Sequence, residues 1–229
     1  MSIDVLYEDN HLLAINKKNG DIVQADITGD SPISQDIKDY LKDKYAKPGN
    51  VFLGVIHRLD RPVSGVVLFA RTSKGLSKMN ELFKTKAVKK TYWAVVKNKP
   101  PKNEDTLVHY HLKDEKAKRA RLFEKEVAHS KPCILHYKLI ESADHYHLLE
   151  IELETGRFHQ IRAQLAKIGC PIKGDIKYGF ERPNEDKRSI HLHARRLDFL
   201  HPVKQEPVSI TAPVPKEKLW QYFEEKVKT

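Results

Sequence analysis

The sequence predicts an α+β fold with a central, mostly antiparallel mixed sheet and flanking helices. Short runs of alternating apolar and polar residues recur along the chain, and turn-prone residues join several of them as in β-hairpins. Only a few segments show the period of an amphipathic helix, a balance that favours an antiparallel sheet over a doubly wound parallel one. The 229 residues suit one large domain or two small ones, and we expect a single domain over residues 1–229.

The first third of the chain predicts a hairpin, a helix and two buried strands. Residues 3–7 and 12–16 alternate around a turn-prone Glu-Asp-Asn and predict the hairpin, which a polar loop follows. Ser34 is a candidate N-cap for a helix that ends at a Pro-Gly-Asn sequence. The apolar runs 51–56 and 65–70 are typical of buried strands.

The middle of the chain predicts one helix and three strands. Ser73 is a candidate N-cap for an amphipathic helix, and the aromatic and β-branched run 91–96 predicts a strand. A basic loop is expected from there to about residue 132. The alternating runs 133–140 and 147–153 then predict an antiparallel pair.

The last third predicts a helix, two strands and a terminal helix. A helix that carries Ile161 and Leu165 on its apolar face should end at Gly169, with a proline just beyond. Strands are expected over 191–200 and 208–211, followed by an amphipathic helix at the C-terminus.

The charge distribution indicates a polyanionic partner. The formal net charge is +10, and residues 84–121 alone contain 12 Lys or Arg against 4 Asp or Glu, a net +8. Each phosphate that a protein neutralises releases counterions, so such a stretch favours nucleic acid, although a solvated basic face is the alternative. No apolar run could span a bilayer and no targeting signal is visible, so we expect a cytoplasmic protein without a membrane partner.

The sequence HRLDRPVSG at 57–65 offers a candidate catalytic carboxylate. Asp60 lies between Arg58 and Arg61, on a loop in which Pro62 restricts the backbone and Gly65 gives it conformational freedom. Neighbouring positive charge would keep the carboxylate ionised, as a nucleophile requires. For an isolated loop, a salt-bridged turn is the commoner explanation.

Two further motifs combine cations with aromatic or polar side chains. In GRFHQIR at 156–162, His159 and Arg162 are three residues apart on one helical face, where a guanidinium could hold a carboxylate or a phosphate by two hydrogen bonds. In KKTYW at 89–93, Tyr92 could stack on a base beside lysines on phosphates. An exposed helix face and a core strand are the respective alternatives.

Three His-x-His pairs are the only hint of a metal site. The pairs occupy positions 109 and 111, 145 and 147, and 191 and 193. Two histidines on one strand face could bind zinc, but no Cys, Asp or Glu completes a site at a recognisable spacing. The two cysteines are too far apart in sequence for a thiolate site, and no glycine-rich nucleotide loop is present. We therefore predict no metal and no nucleotide cofactor.

Five blocks in order resemble the RluA-like pseudouridine synthase family. They are HRLDRPVSG at 57–65, KKTYWAVV at 89–96, ETGRFHQIRAQL at 154–165, GDIKYG at 174–179 and LHARRLDFLHP at 192–202. The resemblance spans most of the chain. One departure is Val63, which stands where the family usually has threonine.

The resemblance implies an isomerase that converts selected uridines in folded RNA to pseudouridine without a metal or redox cofactor. By motif position, Asp60 is the catalytic carboxylate, Arg162 its ion-pair partner and Tyr92 the aromatic residue beside the target base, in a basic cleft of the pseudouridine synthase fold. Members modify ribosomal RNA, transfer RNA or both. The candidate RNA-binding residues are Arg58, Arg61, Lys89, Lys90, Arg157, His159 and Gln160.

Three alternatives stay open at this point. Asp60 could act as a nucleophile at the sugar or as the base that removes a ribose proton. The chain could also be a non-catalytic RNA-binding or ribosome-assembly module on the same fold, or a metal-dependent phosphoesterase built on the histidine pairs. We expect a monomer with one catalytic domain over residues 1–229 and no separate N-terminal RNA-binding domain.

Overall fold

The computed structural model of the chain describes residues 3–25 and 29–228, which divide into two compact units. Unit 1 comprises the chain up to Val88 together with Ala194–Pro213. Unit 2 comprises Lys89–His193 together with the chain from Val214 onward. Both units are therefore discontinuous in sequence, and a single catalytic domain over residues 1–229 stays a prediction.

Strands and helices follow one another in an α+β arrangement. The strands are β1 (Val5–Glu8), β2 (Leu12–Lys17), β3 (Gly54–Val55), β4 (Ser64–Ala70), β5 (Lys89–Val96), β6 (Glu104–Asp114), β7 (Arg119–Phe123), β8 (Lys131–Ser142), β9 (His147–Leu153), β10 (Leu192–Leu200) and β11 (Pro207–Thr211). The α-helices are α1 (Ile33–Lys44), α2 (Ser73–Lys84), α3 (Gln160–Lys167) and α4 (Lys218–Lys228), and Ile176–Tyr178 forms a 3₁₀ turn.

Unit 1 is built on the predicted hairpin. Strands β1 and β2 pair antiparallel, β2 pairs with β4, and β4 also receives the short β3, while β10 and β11 form a further antiparallel pair. All seven residues of β4 are buried. The apolar core gathers residues from both stretches of the unit, among them Leu12, Leu68, Met79 and Phe199. The predicted strand over 51–56 is reduced to the two residues of β3.

The helices of unit 1 occur where periodicity predicted them, but their caps differ. Helix α1 follows Pro32, which provides no side-chain cap, so the predicted cap Ser34 lies inside the first turn. Helix α2 begins at Ser73, and the side chain of Thr72 accepts the capping hydrogen bond from the Gly75 amide. Each predicted cap was thus wrong by one or two residues. Residues 26–28 of the predicted polar loop lie outside the described residues.

Unit 2 contains an antiparallel sheet in the order β5-β9-β8-β6-β7. The pair β8–β9 confirms the prediction for residues 133–153. The predicted basic loop up to residue 132 was wrong, because most of it forms the β6–β7 hairpin. Its buried positions include His109 and His111, and histidines at inward positions obscured the alternation of apolar and polar residues.

Two helices complete unit 2. Helix α3 ends at Lys167 and is followed by the C-cap Ile168 and by Gly169, whose φ of +79° confirms the predicted glycine stop. Helix α4 buries Trp220 and Phe223 in a core cluster that also includes Trp93. Within residues 3–25 and 29–228, no helix is long and apolar enough to cross a membrane.

Candidate active site

Asp60 lies half-buried on a loop of unit 1. Two residues that precede it in this loop are held in place by the surrounding structure. Leu59 is buried beside it. Upstream, the His57 ring stacks on Phe83 with 5.1 Å between ring centroids, and its Nε2 accepts the amide hydrogen of Leu68 at 3.0 Å. The loop is therefore tied to both β4 and α2, which restricts the positions that the Asp60 carboxylate can adopt.

Lys17 is a buried cation next to this loop that the sequence analysis missed. Its side chain is completely buried at the end of β2, and its Nζ donates to the carbonyls of Lys18 and Asp21 at 2.9 Å and of Arg61 at 3.2 Å. Burial lowers the pKa of Lys17 to about 8, against the opposing influence of the Asp21 and Asp60 carboxylates. The available signal was a lysine that ends a mostly apolar strand.

The two arginines that flank Asp60 differ in their contacts. The Arg61 guanidinium bonds to the Asp30 carboxylate at 2.7 Å and donates to the Gly20 carbonyl at 3.1 Å, while the Gly20 amide donates to the Arg61 carbonyl. Arg58 is exposed, as an RNA contact would require. Contacts of either arginine with RNA stay predictions.

The end of the loop requires a glycine. Gly65 has a φ of +112°, and a Cβ atom at this position would lie 2.2 Å from the backbone oxygen of Ala194. Just before it, the Val63 side chain is buried and its amide donates to the Asp60 carbonyl at 3.0 Å. The turn around Asp60 is therefore closed by backbone contacts that do not need the hydroxyl of a threonine.

In unit 2, strand β5 carries Tyr92 and Trp93 on opposite faces. Tyr92 is half-buried, whereas Trp93 is buried and its indole nitrogen donates to Glu150 at 3.2 Å. The core alternative was therefore right for Trp93. Lys89 pairs with Glu152 at 2.6 Å and stays half exposed, and both Lys89 and Lys90 remain candidate RNA contacts.

Arg162 is held by a buried carboxylate, Asp175. The Arg162 Nε lies 2.6 Å from Asp175 Oδ2, Nη2 lies 2.9 Å from Oδ1, and the two side chains are 6% and 1% exposed. This two-fold hydrogen bonding fixes the guanidinium plane. The alternative of an exposed helix face is wrong for Arg162. Asp175 belongs to the GDIKYG block of the family resemblance, so the sequence did mark this residue. No role was predicted for Asp175. The pair of Arg162 with Asp60 stays a prediction.

His159 precedes α3 and is not on its face as predicted. It is the N-cap residue, with left-handed backbone angles of 52° and 27°. Its ring stacks on Phe158 at 3.7 Å, and its Nδ1 lies 3.0 Å from the Tyr178 hydroxyl. Burial and the nearby cations Arg162 and Lys177 lower the pKa of His159 to about 3. The imidazole is therefore neutral at physiological pH.

Gln160 and Arg157 stabilise the turn that leads into α3. The Gln160 amide oxygen accepts from the Thr155 hydroxyl and the Arg157 amide, and its nitrogen donates to the Ile134 carbonyl. Arg157 donates to the Pro132 carbonyl at 3.2 Å. These contacts give both residues a structural role, and their predicted contact with RNA stays a prediction.

The histidine pairs make contacts other than metal coordination. His109 contacts Gln164, His111 donates to the Phe158 carbonyl, and the Nε2 of His191 lies 2.7 Å from Glu217. Among residues 3–25 and 29–228, no group of three His, Cys, Asp or Glu side chains is placed to hold a metal ion.

The family model for RNA pseudouridylate synthases matches residues 11–167, which include Asp60, Tyr92 and Arg162. The chain belongs to the RNA pseudouridylate synthase family. The match covers more than half of the sequence and confirms the resemblance on which the predicted site rests.

Relatives of this synthase have names that refer to two kinds of RNA. It is 33% identical to the Ribosomal large subunit pseudouridine synthase C of Rickettsia felis, over 92% of this chain and 67% of the relative. It is 30% identical to the tRNA pseudouridine synthase C of Vibrio cholerae, over 96% of this chain and 93% of the relative. The alternative of a phosphoesterase loses its support.

Solved structures confirm the predicted pseudouridine synthase fold. The synthase superposes on the Human RNA Pseudouridylate Synthase Domain Containing 4 with a TM-score of 0.77 at 22% identity, covering 98% of this chain and 93% of the human one. For the Human RNA Pseudouridylate Synthase Domain Containing 1 the TM-score is 0.73 at 20% identity, covering 100% and 95%.

Proposed function

We propose that this synthase isomerises uridine to pseudouridine in structured ribosomal or transfer RNA, with Asp60 as the catalytic carboxylate. The observation that carries the proposal is the family match, since its residues 11–167 hold all three predicted catalytic side chains. The names of the Rickettsia and Vibrio relatives support the two substrate classes.

Two local arrangements support the assignment of roles. In unit 1, the Lys17 ammonium donates to the carbonyl of Arg61 at 3.2 Å and so fixes the backbone directly after Asp60. In unit 2, Asp175 orients the Arg162 guanidinium. By motif position, we assign Asp60 as a second carboxylate partner of this guanidinium.

The reaction balances without a redox partner. The bond between uracil N1 and ribose C1′ breaks, the base rotates, and C5 forms a bond to the same C1′ while the C5 proton leaves and N1 gains a proton. Asp60 would assist as the nucleophile at C1′ or as the base at C2′. Tyr92 would contact the detached uracil. The target nucleotide must leave its stack first, at a cost of a few kcal/mol.

We also propose that the synthase is a monomer, that it works in the cytoplasm and that it needs no cofactor. Ribosomal and transfer RNA are the substrates to which the names of the relatives point. Native mass spectrometry of the purified chain tests the monomer, and turnover in the presence of EDTA tests the absence of a metal. A dimer, or activity that EDTA stops, would contradict these points.

The deciding experiment measures tritium release from RNA transcripts that contain 5-tritiated uridine. We expect Asp60→Asn to release no tritium while its affinity for the same transcripts stays within a few-fold. Asp43→Asn, which changes an exposed carboxylate on α1, is the matched control and should turn over like the wild type. Normal turnover by Asp60→Asn would remove the proposed mechanism.

The same assay separates an enzyme from a non-catalytic RNA-binding module. A binding module would bind the transcripts and release no tritium even as the wild type, whereas the family match favours turnover. Mapping pseudouridines in total RNA with and without the gene would then identify the uridine.

A further inference from the structure

A groove of about 500 Å³ in unit 2 is not used by the proposed chemistry. It lies between strand β7 and helix α3, and small or apolar side chains form its floor: Ala120, Leu122, Ala163, Ala166 and Tyr178. The groove exists because alanines occupy positions where larger side chains would fill the space. Its volume is within the range of sites that bind small organic groups. We call it the β7–α3 groove.

The floor of the β7–α3 groove is fixed by hydrogen bonds. The Tyr178 hydroxyl accepts the Ala120 amide hydrogen at 2.7 Å and also contacts His159 Nδ1. The ring of Tyr178 lies 5.1 Å from the Arg162 guanidinium and 5.2 Å from that of Arg119. The groove is therefore preformed, and it shares Tyr178 with the surroundings of Arg162.

Two cations on the rim of the β7–α3 groove, Arg119 and Arg121, have no carboxylate partner in the described part of the chain. The carboxylate in the groove lining, Asp114, accepts the Ala117 amide hydrogen. Arg119 and Arg121 are exposed, and among residues 3–25 and 29–228 neither guanidinium forms an ion pair with a carboxylate. Lys97 and Lys102, elsewhere on unit 2, pair with Glu181 at 2.6 Å and Asp105 at 3.0 Å. The two arginines thus keep their hydrogen-bond donors available for an external anion.

Charge and shape together identify the class of ligand. A guanidinium binds phosphate oxygens by paired hydrogen bonds and offers a flat face on which an unpaired base can stack. The alanine floor can take a base or ribose, while the third rim cation, Lys167, is shared with Glu124 at 2.8 Å. An acidic peptide would use the same charges, but the surrounding segment 84–121 has a net charge of +8 in a family that acts on RNA.

We propose that the β7–α3 groove binds an unpaired nucleotide of the RNA substrate other than the target uridine, with Arg119 and Arg121 on its phosphates. The inference rests on the proposed function, because it takes RNA as the substrate. It adds a second anchoring point for RNA in unit 2.

The test compares two double variants that remove equal charge. Binding of a short fluorescent oligouridylate is measured over a series of salt concentrations for Arg119→Ala/Arg121→Ala and for Lys97→Ala/Lys102→Ala. We expect the arginine pair to lose affinity about tenfold or more, and its slope of log affinity against log salt to become shallower by about 1.4, since each phosphate contact contributes about 0.7 on a single strand. The lysine pair should bind like the wild type. Equal losses in both would overturn the inference in favour of diffuse attraction.

A third variant tests the shape of the groove without changing its charges. Ala166→Leu keeps every charge and suits a helix, but it fills the floor. It should weaken oligouridylate binding several-fold with no change in the salt slope, and unchanged binding would overturn the groove as the site. Polyglutamate that competes as strongly as oligouridylate would replace RNA with an acidic peptide as the ligand.

Failure of this inference can be distinguished from failure of the proposed function. If the wild type binds oligouridylate through the β7–α3 groove but releases no tritium from any transcript, the proposed function fails and the groove stands. If the wild type releases tritium and the arginine variant binds RNA normally, the groove fails alone.

Discussion

Arg162 and Asp175 form a buried, doubly hydrogen-bonded ion pair, with 2.6 Å between Nε and Oδ2 and 2.9 Å between Nη2 and Oδ1. Breaking a buried pair by removing one charge costs about 3–5 kcal/mol, since the other charge is left in a medium that solvates it poorly. Asp175 is therefore a positioning residue for Arg162 in the proposed mechanism.

Asp175→Asn should lower kcat for pseudouridine formation about 100-fold, because its amide nitrogen would face a guanidinium donor and displace it. The affinity for RNA should change little, which a merely unfolded protein would not show. Tritium release and urea unfolding are measured together. Asp198→Asn, which breaks the half-exposed pair with Arg196, is the control and should cost less than about 1 kcal/mol. A normal kcat for Asp175→Asn would exclude the positioning role.

The sequence predicted Arg162 but not Asp175, for a physical reason. Periodicity and motif spacing identify which residues share a face of one element, whereas Asp175 lies in a short turn and reaches α3 only through the tertiary fold. The same limit explains why the sequence analysis missed Lys17, because its three acceptors are backbone carbonyls that no sequence pattern marks.

Most of the secondary structure followed from periodicity, and the exceptions have particular causes. The β1–β2 hairpin and the α3 stop at Gly169 were predicted because turn residues and glycine mark chain reversals directly. The β6–β7 hairpin was missed because His109 and His111 occupy buried positions where apolar residues were expected. Local motifs marked Asp60, Tyr92 and Arg162 as candidates, and the family resemblance assigned their roles.

Lys17→Met should destabilise the fold by about 1–3 kcal/mol and also lower turnover. The substitution keeps the length of the side chain but leaves the carbonyls of Lys18, Asp21 and Arg61 without their donor. The loop of Asp60 would then move. Urea unfolding and tritium release are the measurements, and the exposed Lys18→Met is the control. Equal effects of the two substitutions would contradict the anchoring role.

Gly65→Ala should unfold the protein or destabilise it by about 3 kcal/mol or more. The new Cβ would lie 2.2 Å from the Ala194 oxygen, so the backbone of β4 or of β10 must shift in addition to the strain at φ +112°. Gly49→Ala is a matched control, because its φ is +79° but its Cβ would meet nothing within 4 Å. Thermal unfolding of both variants separates steric overlap from backbone strain. Similar melting temperatures for the two would rule out the overlap.

His159 should make the fold less stable in mild acid. Its pKa is lowered to about 3 in the folded protein, whereas an unfolded histidine titrates near 6.5. Between these values the unfolded chain binds a proton that the folded chain does not, so stability falls as the pH falls from 6.5 towards 3. From pH 7.5 to pH 5 this single group should remove about 2 kcal/mol.

His159→Asn tests this contribution directly. Asparagine tolerates the left-handed backbone and is a good N-cap, so the variant should fold, and it has no ring to titrate. Urea unfolding at pH 7.5 and pH 5 should show a loss in the wild type that exceeds the loss in the variant by about 2 kcal/mol. His129→Asn is the control: it makes the same substitution at an exposed residue that also has a left-handed backbone conformation. Between pH 7.5 and pH 5 this variant should lose as much stability as the wild type. If His159→Asn and the wild type respond equally to acid, the imidazole is not held neutral by its surroundings.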